Sequence, residues 1–356
     1  MCSFERALRY PTDDKFEEAA LNDNIISRRE FGMAAGAAGA GVIASSKSVT
    51  ARESGGPPLN YASGLIESPP TYYEVLEPAG GSTRPPMVLI CGGGHTGACY
   101  LATVDGRPGW AQTFVRAGYK VLVPDWPGVG RSGYIPIDDL TGDMVVEGLG
   151  KIVRSLGQPA IVMTHSMSGA YGWKLIENYG QHIAKLVAIA PGPPGNIQAV
   201  SDVVSETADT VVVRGSTTMT INLKQPVVSD RNFVEVKLVG KSTQFPREYI
   251  GVYASSLTPI PPRLLYQRRN IRGSQLKVTD LSNYRGKRIL VMTGTADIDH
   301  PRELDGAIVE WLNQNGAKAD FLYLGDHGIE GNGHMMMLEK NSDALAGQVL
   351  SWIENS

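Results

Sequence analysis

The chain reads as an α/β protein, a mostly parallel central sheet flanked by helices, and three features carry that reading. Apolar runs of strand length recur at residues 87–91, 119–124, 160–165, 288–294 and 319–325, as central parallel strands buried on both faces require. Helical stretches follow, ending in an amphipathic segment at 338–355 with Leu345, Val349, Leu350 and Ile353 on one face. The strand-like runs open into loops of glycine, serine, aspartate and histidine, the residue types that perform chemistry at the ends of strands.

The first 51 residues read differently from the rest. Ser27-Arg28-Arg29-Glu30-Phe31 precedes an alanine and glycine run over 32–44, the pattern of a twin-arginine export signal, and Val49-Thr50-Ala51 offers a small-residue cleavage site. The run is too short to span a bilayer, so export by the twin-arginine machinery to the periplasm or beyond is expected, without stable membrane anchoring. A basic, alanine-rich leader on a cytoplasmic protein is the alternative. Residues 52–192 and 285–356 read as two parts of one core. The apolar content is 42%, the charged content 19% and the net charge −3. That composition describes an ordinary globular protein with no nucleic-acid footprint. Cys91 and Cys99 follow the leader cysteine Cys2; they would bridge only in an oxidising compartment, and buried free thiols suit their placement equally.

After the strand at 87–91 come four glycines in six residues, Gly92-Gly93-Gly94-His95-Thr96-Gly97. The run lacks the lysine of a P-loop and the spacing of a dinucleotide site, so no cofactor is expected. Glycine lets backbone amides approach a reacting group, which makes Gly93, with Gly94 beside it, a candidate donor to an oxyanion. The strand 160–165 stops at His165-Ser166-Met167-Ser168-Gly169, where Ser166 has the placement of a nucleophile on a strand-to-helix turn and the Met167 amide that of a second oxyanion donor. Ser168 is a rival, although it would lie within the helix expected over 167–178. The glycines of G-x-S-x-G are absent.

Beyond the strand at 288–294, Asp297 sits in a loop ending at Pro301 and is the candidate orienting acid; Asp299 is the alternative acid, or the cap of the helix that begins near Arg302. His334, between a glycine-rich loop and three methionines, is the candidate general base, with the loop residue His327 as alternative. Serine, acid and histidine in that chain order match a hydrolytic triad, and no metal is expected.

Taken together with Asp125-Trp126-Pro127-Gly128-Val129-Gly130-Arg131-Ser132, these motifs resemble the α/β-hydrolase superfamily over residues 72 to 354. Asp105-Gly106-Arg107-Pro108-Gly109-Trp110, the Ser166 segment and Gly331-Asn332-Gly333-His334-Met335-Met336-Met337 look like a group of exported bacterial and fungal serine esterases. The resemblance implies an α/β-hydrolase fold with a cap insertion between strands 6 and 7, here 193–284. In that group the acid is commonly a glutamate after the sixth strand. This chain has Ala190-Pro191-Gly192 there, which turns attention to an aspartate after the seventh. Within the insertion, 210–214, 218–222 and 233–239 read as strand-like, and Tyr249, Tyr253, Leu264, Leu265 and Tyr266 either line a substrate pocket or pack the insertion on the core. The expected activity is hydrolysis of a small carboxylic ester through an acyl-enzyme. A lactone, a carbon–carbon bond, or a ligand merely bound on a hydrolase scaffold are the alternatives.

Overall fold

The computed structural model describes residues 49–51, 58–214 and 218–356. The arginine pair and the run 32–44 lie outside the described residues. The tripeptide Val49–Ala51 is described, as edge strand β1 paired antiparallel with β2 (Leu59–Ile66).

Among the described residues, nine strands form the central sheet. After β1 and β2 come β3 (Thr71–Pro78), β4 (Met87–Ile90), β5 (Val121–Pro124), β6 (Ala160–His165), β7 (Ile183–Ile189), and, beyond the insertion, β11 (Arg288–Thr293) and β12 (Lys318–Tyr323). Their order is β1-β2-β3-β5-β4-β6-β7-β11-β12, antiparallel through the β3–β5 pair and parallel from β5 to β12. Every residue of β4, β5 and β6 is buried, the pattern of strands covered on both faces. The helices α1 (Trp110–Arg116), α2 (Gly142–Ser155) and α3 (Gly169–Tyr179) follow β4, β5 and β6. Thr141 caps α2 by accepting from the Met144 amide.

Between β7 and β11 lie an antiparallel three-stranded sheet, β8 (Asp202–Glu206), β9 (Thr210–Arg214) and β10 (Thr218–Asn222), the single turn α4 (Arg231–Phe233), and helices α5 (Ile250–Ser255) and α6 (Pro262–Arg268). The expected strand at 233–239 is instead a π-helix over Val234–Val239. Asp230 starts this helical stretch by accepting from the Phe233 amide, Arg231 pairs with Glu235 one turn on, and Val234 and Leu238 bury one face. Local capping and a four-residue apolar spacing outweigh the alternation of V-E-V-K-L-V. Tyr253, Leu264 and Leu265 are buried in the core, so they pack the insertion rather than stand open, while Tyr249 is exposed.

Helix α7 (Arg302–Gln314) precedes β12, and α8 (Ser342–Asn355) closes the chain. The last helix starts four residues later than its apolar pattern suggests, after a 3-10 turn at Met336–Leu338. Leu345, Val349 and Ile353 are buried as expected. Cys91 and Cys99 are both free thiols. No helix among the described residues is long and apolar enough to cross a membrane.

Candidate active site

The site forms at the carboxyl ends of β6, β11 and β12. Ser166 follows β6 directly and holds φ 54°, a left-handed conformation costly for a residue with a side chain. Thr164 and Ser168 stand where glycines are usual, and the close packing falls to other glycines. A Cβ on Gly172 would lie 2.9 Å from Thr164 Cγ2, and one on Gly169 would lie 2.6 Å from Pro191 Cβ, so α3 can approach the sheet only with glycine there. Ser168 is fully buried; its Oγ accepts from the His165 amide and sits 2.9 Å from the His165 carbonyl and 3.2 Å from that of Ile90. It ties the end of β6 to β4.

Three of the candidate side chains meet. Ser166 Oγ lies 2.8 Å from His334 Nε2, and His334 Nδ1 lies 2.7 Å from Asp297 Oδ2. Asp297 and His334 are each 7% exposed, whereas the serine is partly open. Burial pushes the Asp297 carboxyl up, but His334 and His300 beside it, with hydrogen bonds from His334 and the Asp299 amide, hold it well below the usual carboxylate range. The carboxylate is therefore ionised and oriented toward the imidazole. Asp299 is exposed and pairs with Lys237 at 2.5 Å. It does not cap α7, whose N-cap is Pro301 with no side-chain bond; a charge partner from the insertion holds it instead. His327 is exposed at the far end of a 3-10 turn after β12.

The loop after β4 faces the same serine. Gly94 has φ 75°, and a Cβ on Gly93 would stand 2.7 Å from Met167 Sδ, so this segment lies directly on the Ser166 turn. The amides of Gly93 and Gly94 donate to no protein acceptor among the described residues, and that of Met167 belongs to the first turn after β6, where backbone amides have no intrahelical acceptor. From the insertion, the Thr258 amide donates to the Gly94 carbonyl at 2.9 Å, and Ile260 packs on both glycines.

Residues given no role by sequence surround these groups. His165 is fully buried and its Nε2 donates to the His334 carbonyl at 2.9 Å, so it fixes the backbone that carries the imidazole. Burial, then the neighbouring His334 and His95, hold it well below the ordinary histidine range. The His300 ring stacks on His334, with centroids 5.2 Å apart and planes 22° apart, while its Nδ1 donates to Asp305 at 3.0 Å. Burial lowers the His300 pKa, but Asp297 and Asp305 outweigh it and the net shift is upward. Asp297, His300 and His334 bring potential ligand atoms within 4.8 Å, close enough to hold a cation, yet both nitrogens of His334 and one of His300 are engaged in hydrogen bonds.

Glu339, fully buried, accepts from the Gly333 amide at 2.7 Å, from Asn332 Nδ2 at 2.5 Å and from Ser242 Oγ at 2.5 Å. Arg107 donates to its carbonyl at 2.9 Å, and Trp110 Nε1 to that of Ser342 at 2.9 Å. The Asp105–Trp110 motif and the Gly331–Met337 motif thus meet in space, with a serine of the insertion between them. The sequence signal for Glu339 was a charge directly after the apolar run Met335–Leu338; for His165 it was adjacency to Ser166. His300 carried no signal, because its partner, Asp305, lies on the first turn of a helix where acids are ordinary.

Residues 87–348 match the family described as the alpha/beta hydrolase family. A probable secreted lipase from Fungal sp. (strain ATCC 74256) is 26% identical over 352 residues, covering 83% of this chain and 88% of the lipase. A 2-hydroxy-6-oxononadienedioate/2-hydroxy-6-oxononatrienedioate hydrolase from Comamonas testosteroni is 27% identical over 117 residues, 31% of this chain and 37% of that enzyme. Among solved structures, a novel bacterial esterase superposes with TM-score 0.52 at 17% identity, covering 89% of this chain and 97% of the esterase. An Arabidopsis methylesterase gives 0.53 at 15% identity over 76% of this chain and 99% of its own.

Proposed function

The chain belongs to the alpha/beta hydrolase family, and from that premise we propose that it is a serine hydrolase of carboxylic esters acting through Ser166, His334 and Asp297. The observation that carries this reading is the continuous hydrogen-bonded line from Ser166 Oγ through both nitrogens of His334 to Asp297. His334 Nε2 takes the Ser166 proton as Oγ attacks the ester carbonyl, and Asp297 holds Nδ1 protonated and stabilises the imidazolium that forms. The amides of Gly93 and Met167, with Gly94 adjacent, receive the oxyanion; the freedom of the glycine amides from protein acceptors among the described residues and the place of Met167 in the first turn after β6 support that role. His334 then returns its proton to the departing alcohol, and a water activated by the same imidazole releases the acyl group. A binding protein with an idle triad would not need a strained serine backbone, and φ 54° at Ser166 weighs against it.

Residues 193–284 serve as the cap, supported by the contacts of Thr258 and Ile260 with the glycine loop. Export follows from the arginine pair at 28 and 29 and accords with a relative named as a secreted lipase. A lactone or carbon–carbon bond would use the same residues, and the partial match to the Comamonas hydrolase keeps the second in view. The test is hydrolysis of 4-nitrophenyl butyrate, with labelling by a fluorophosphonate probe. Ser166→Ala is expected to abolish labelling and lower kcat/KM by at least roughly 10³-fold. Undiminished turnover would remove the serine mechanism.

A further inference from the structure

A second charged group stands beside the nucleophile and takes no part in that mechanism. Arg268 ends α6, and its guanidinium lies against Gly192: a Cβ at that position would be 3.2 Å from Arg268 Nε and 3.3 Å from the Ser166 carbonyl oxygen. The guanidinium and the nucleophile's backbone therefore flank one glycine. Arg268 also lines a narrow crevice with Met167, Tyr171, Leu264 and Gln275. Among the described residues, its side chain has no hydrogen bond and no ion pair, although its backbone carbonyl accepts from Gln198. The carboxylates that share its field are committed elsewhere, Asp299 to Lys237 and Asp305 to Thr293 and His300. Burial, and then the neighbouring Arg269, pull Arg268 down to about 10, so it remains a cation at neutral pH.

Arg268 is half-buried beside the Ser166 turn and no protein acceptor among the described residues engages its guanidinium, so its five donors stand free in a fork that suits a planar carboxylate. We propose that Arg268 binds a carboxylate of the substrate, so that the preferred esters carry an anionic group on the acyl portion that reaches over Met167. The proposal rests on the ester-hydrolase reading for its turnover arm only. A neutral acyl chain of the same length would leave the guanidinium unpaired, which is the kind of loss by which enzymes reject analogues.

The experiment compares mono-4-nitrophenyl adipate with 4-nitrophenyl hexanoate, spontaneous hydrolysis subtracted. The wild type is expected to favour the adipate in kcat/KM by tenfold or more, and Arg268→Gln to lower that ratio at least tenfold, chiefly through KM, with Arg268→Lys between them. Calorimetry of free adipate with Ser166→Ala, compared with Ser166→Ala/Arg268→Gln, reads the site without catalysis and should show at least tenfold weaker binding in the double variant. A wild-type ratio at or below one, together with adipate binding no tighter than hexanoate, overturns the proposal even if Arg268→Gln fails to fold. If neither ester turns over but adipate binding still depends on Arg268, the hydrolase reading fails and the anion site stands.

Discussion

At the scale of single residues, the two aspartates of one loop illustrate how environment assigns roles. Asp297 is buried against His334 and His300 and stays ionised; Asp299, two residues on, is exposed and engaged by Lys237. Asp297→Asn is expected to lower kcat/KM by about 10³ to 10⁴-fold, because an amide cannot stabilise the imidazolium and favours the wrong tautomer. Asp299→Asn should stay within about threefold, since it removes a half-exposed ion pair. Steady-state kinetics on one chromogenic ester compares the two, and equal losses would place the acid wrongly. Ser166, His334 and Asp297 were legible because each stands in a loop after an apolar strand. His165 and His300 were not, since their meaning lies in partners 169 and 5 residues away, and neither spacing repeats as a pattern.

At the scale of elements, the loop from β12 to α8 carries the imidazole and is held by one buried carboxylate. Glu339 receives donors from Gly333, Asn332 and Ser242, the last from the insertion. Burial raises its pKa, and those hydrogen bonds offset only part of the shift. Glu339→Ala leaves the Gly333 amide and one N–H of Asn332 buried without an acceptor, while Ser242 Oγ keeps the Gly331 carbonyl; the loss is about 3 kcal/mol and frees the segment next to His334. Urea denaturation should register the destabilisation, and kcat should fall while Ser166 itself is unaltered; intact kcat would show that the loop holds its place without this anchor. The sequence placed this loop but put the helix start at Leu338, because Met335, Met336, Met337 and Leu338 continue an apolar pattern. Glu339 breaks the pattern by pointing into the core, where donors await it. The π-helix at Val234–Val239 was missed for a similar reason, as alternation in so short a run is shared by strand and helix until a cap decides.

At the scale of the whole molecule, burial of neutral histidines links stability to pH. His95 is buried, its Nδ1 donates to the Gly93 carbonyl, and its Nε2 accepts from Tyr253. Burial lowers its pKa from 6.5 to about 4. The unfolded chain therefore binds a proton that the native state refuses, so this contribution is complete above pH 6.5 and is lost as pH falls toward 4. His300 and Glu339, shifted upward, act in the opposite sense, so the comparison with His95→Gln isolates the effect. The deficit of His95→Gln relative to wild type should shrink by up to about 3 kcal/mol between pH 7 and pH 4 in denaturant titrations; a constant deficit would mean that His95 titrates normally. Strand positions, the serine turn, the order of acid and base, and the glycine loop all follow from local apolar runs and the residues that end them, since such runs have a single stable place in a two-sided sheet. Which of two aspartates faces the histidine, which carboxylate anchors its loop, and that an arginine lies against Gly192 beside the Ser166 turn depend on contacts between segments tens to hundreds of residues apart. Long-range packing sets those contacts, and no local pattern encodes them.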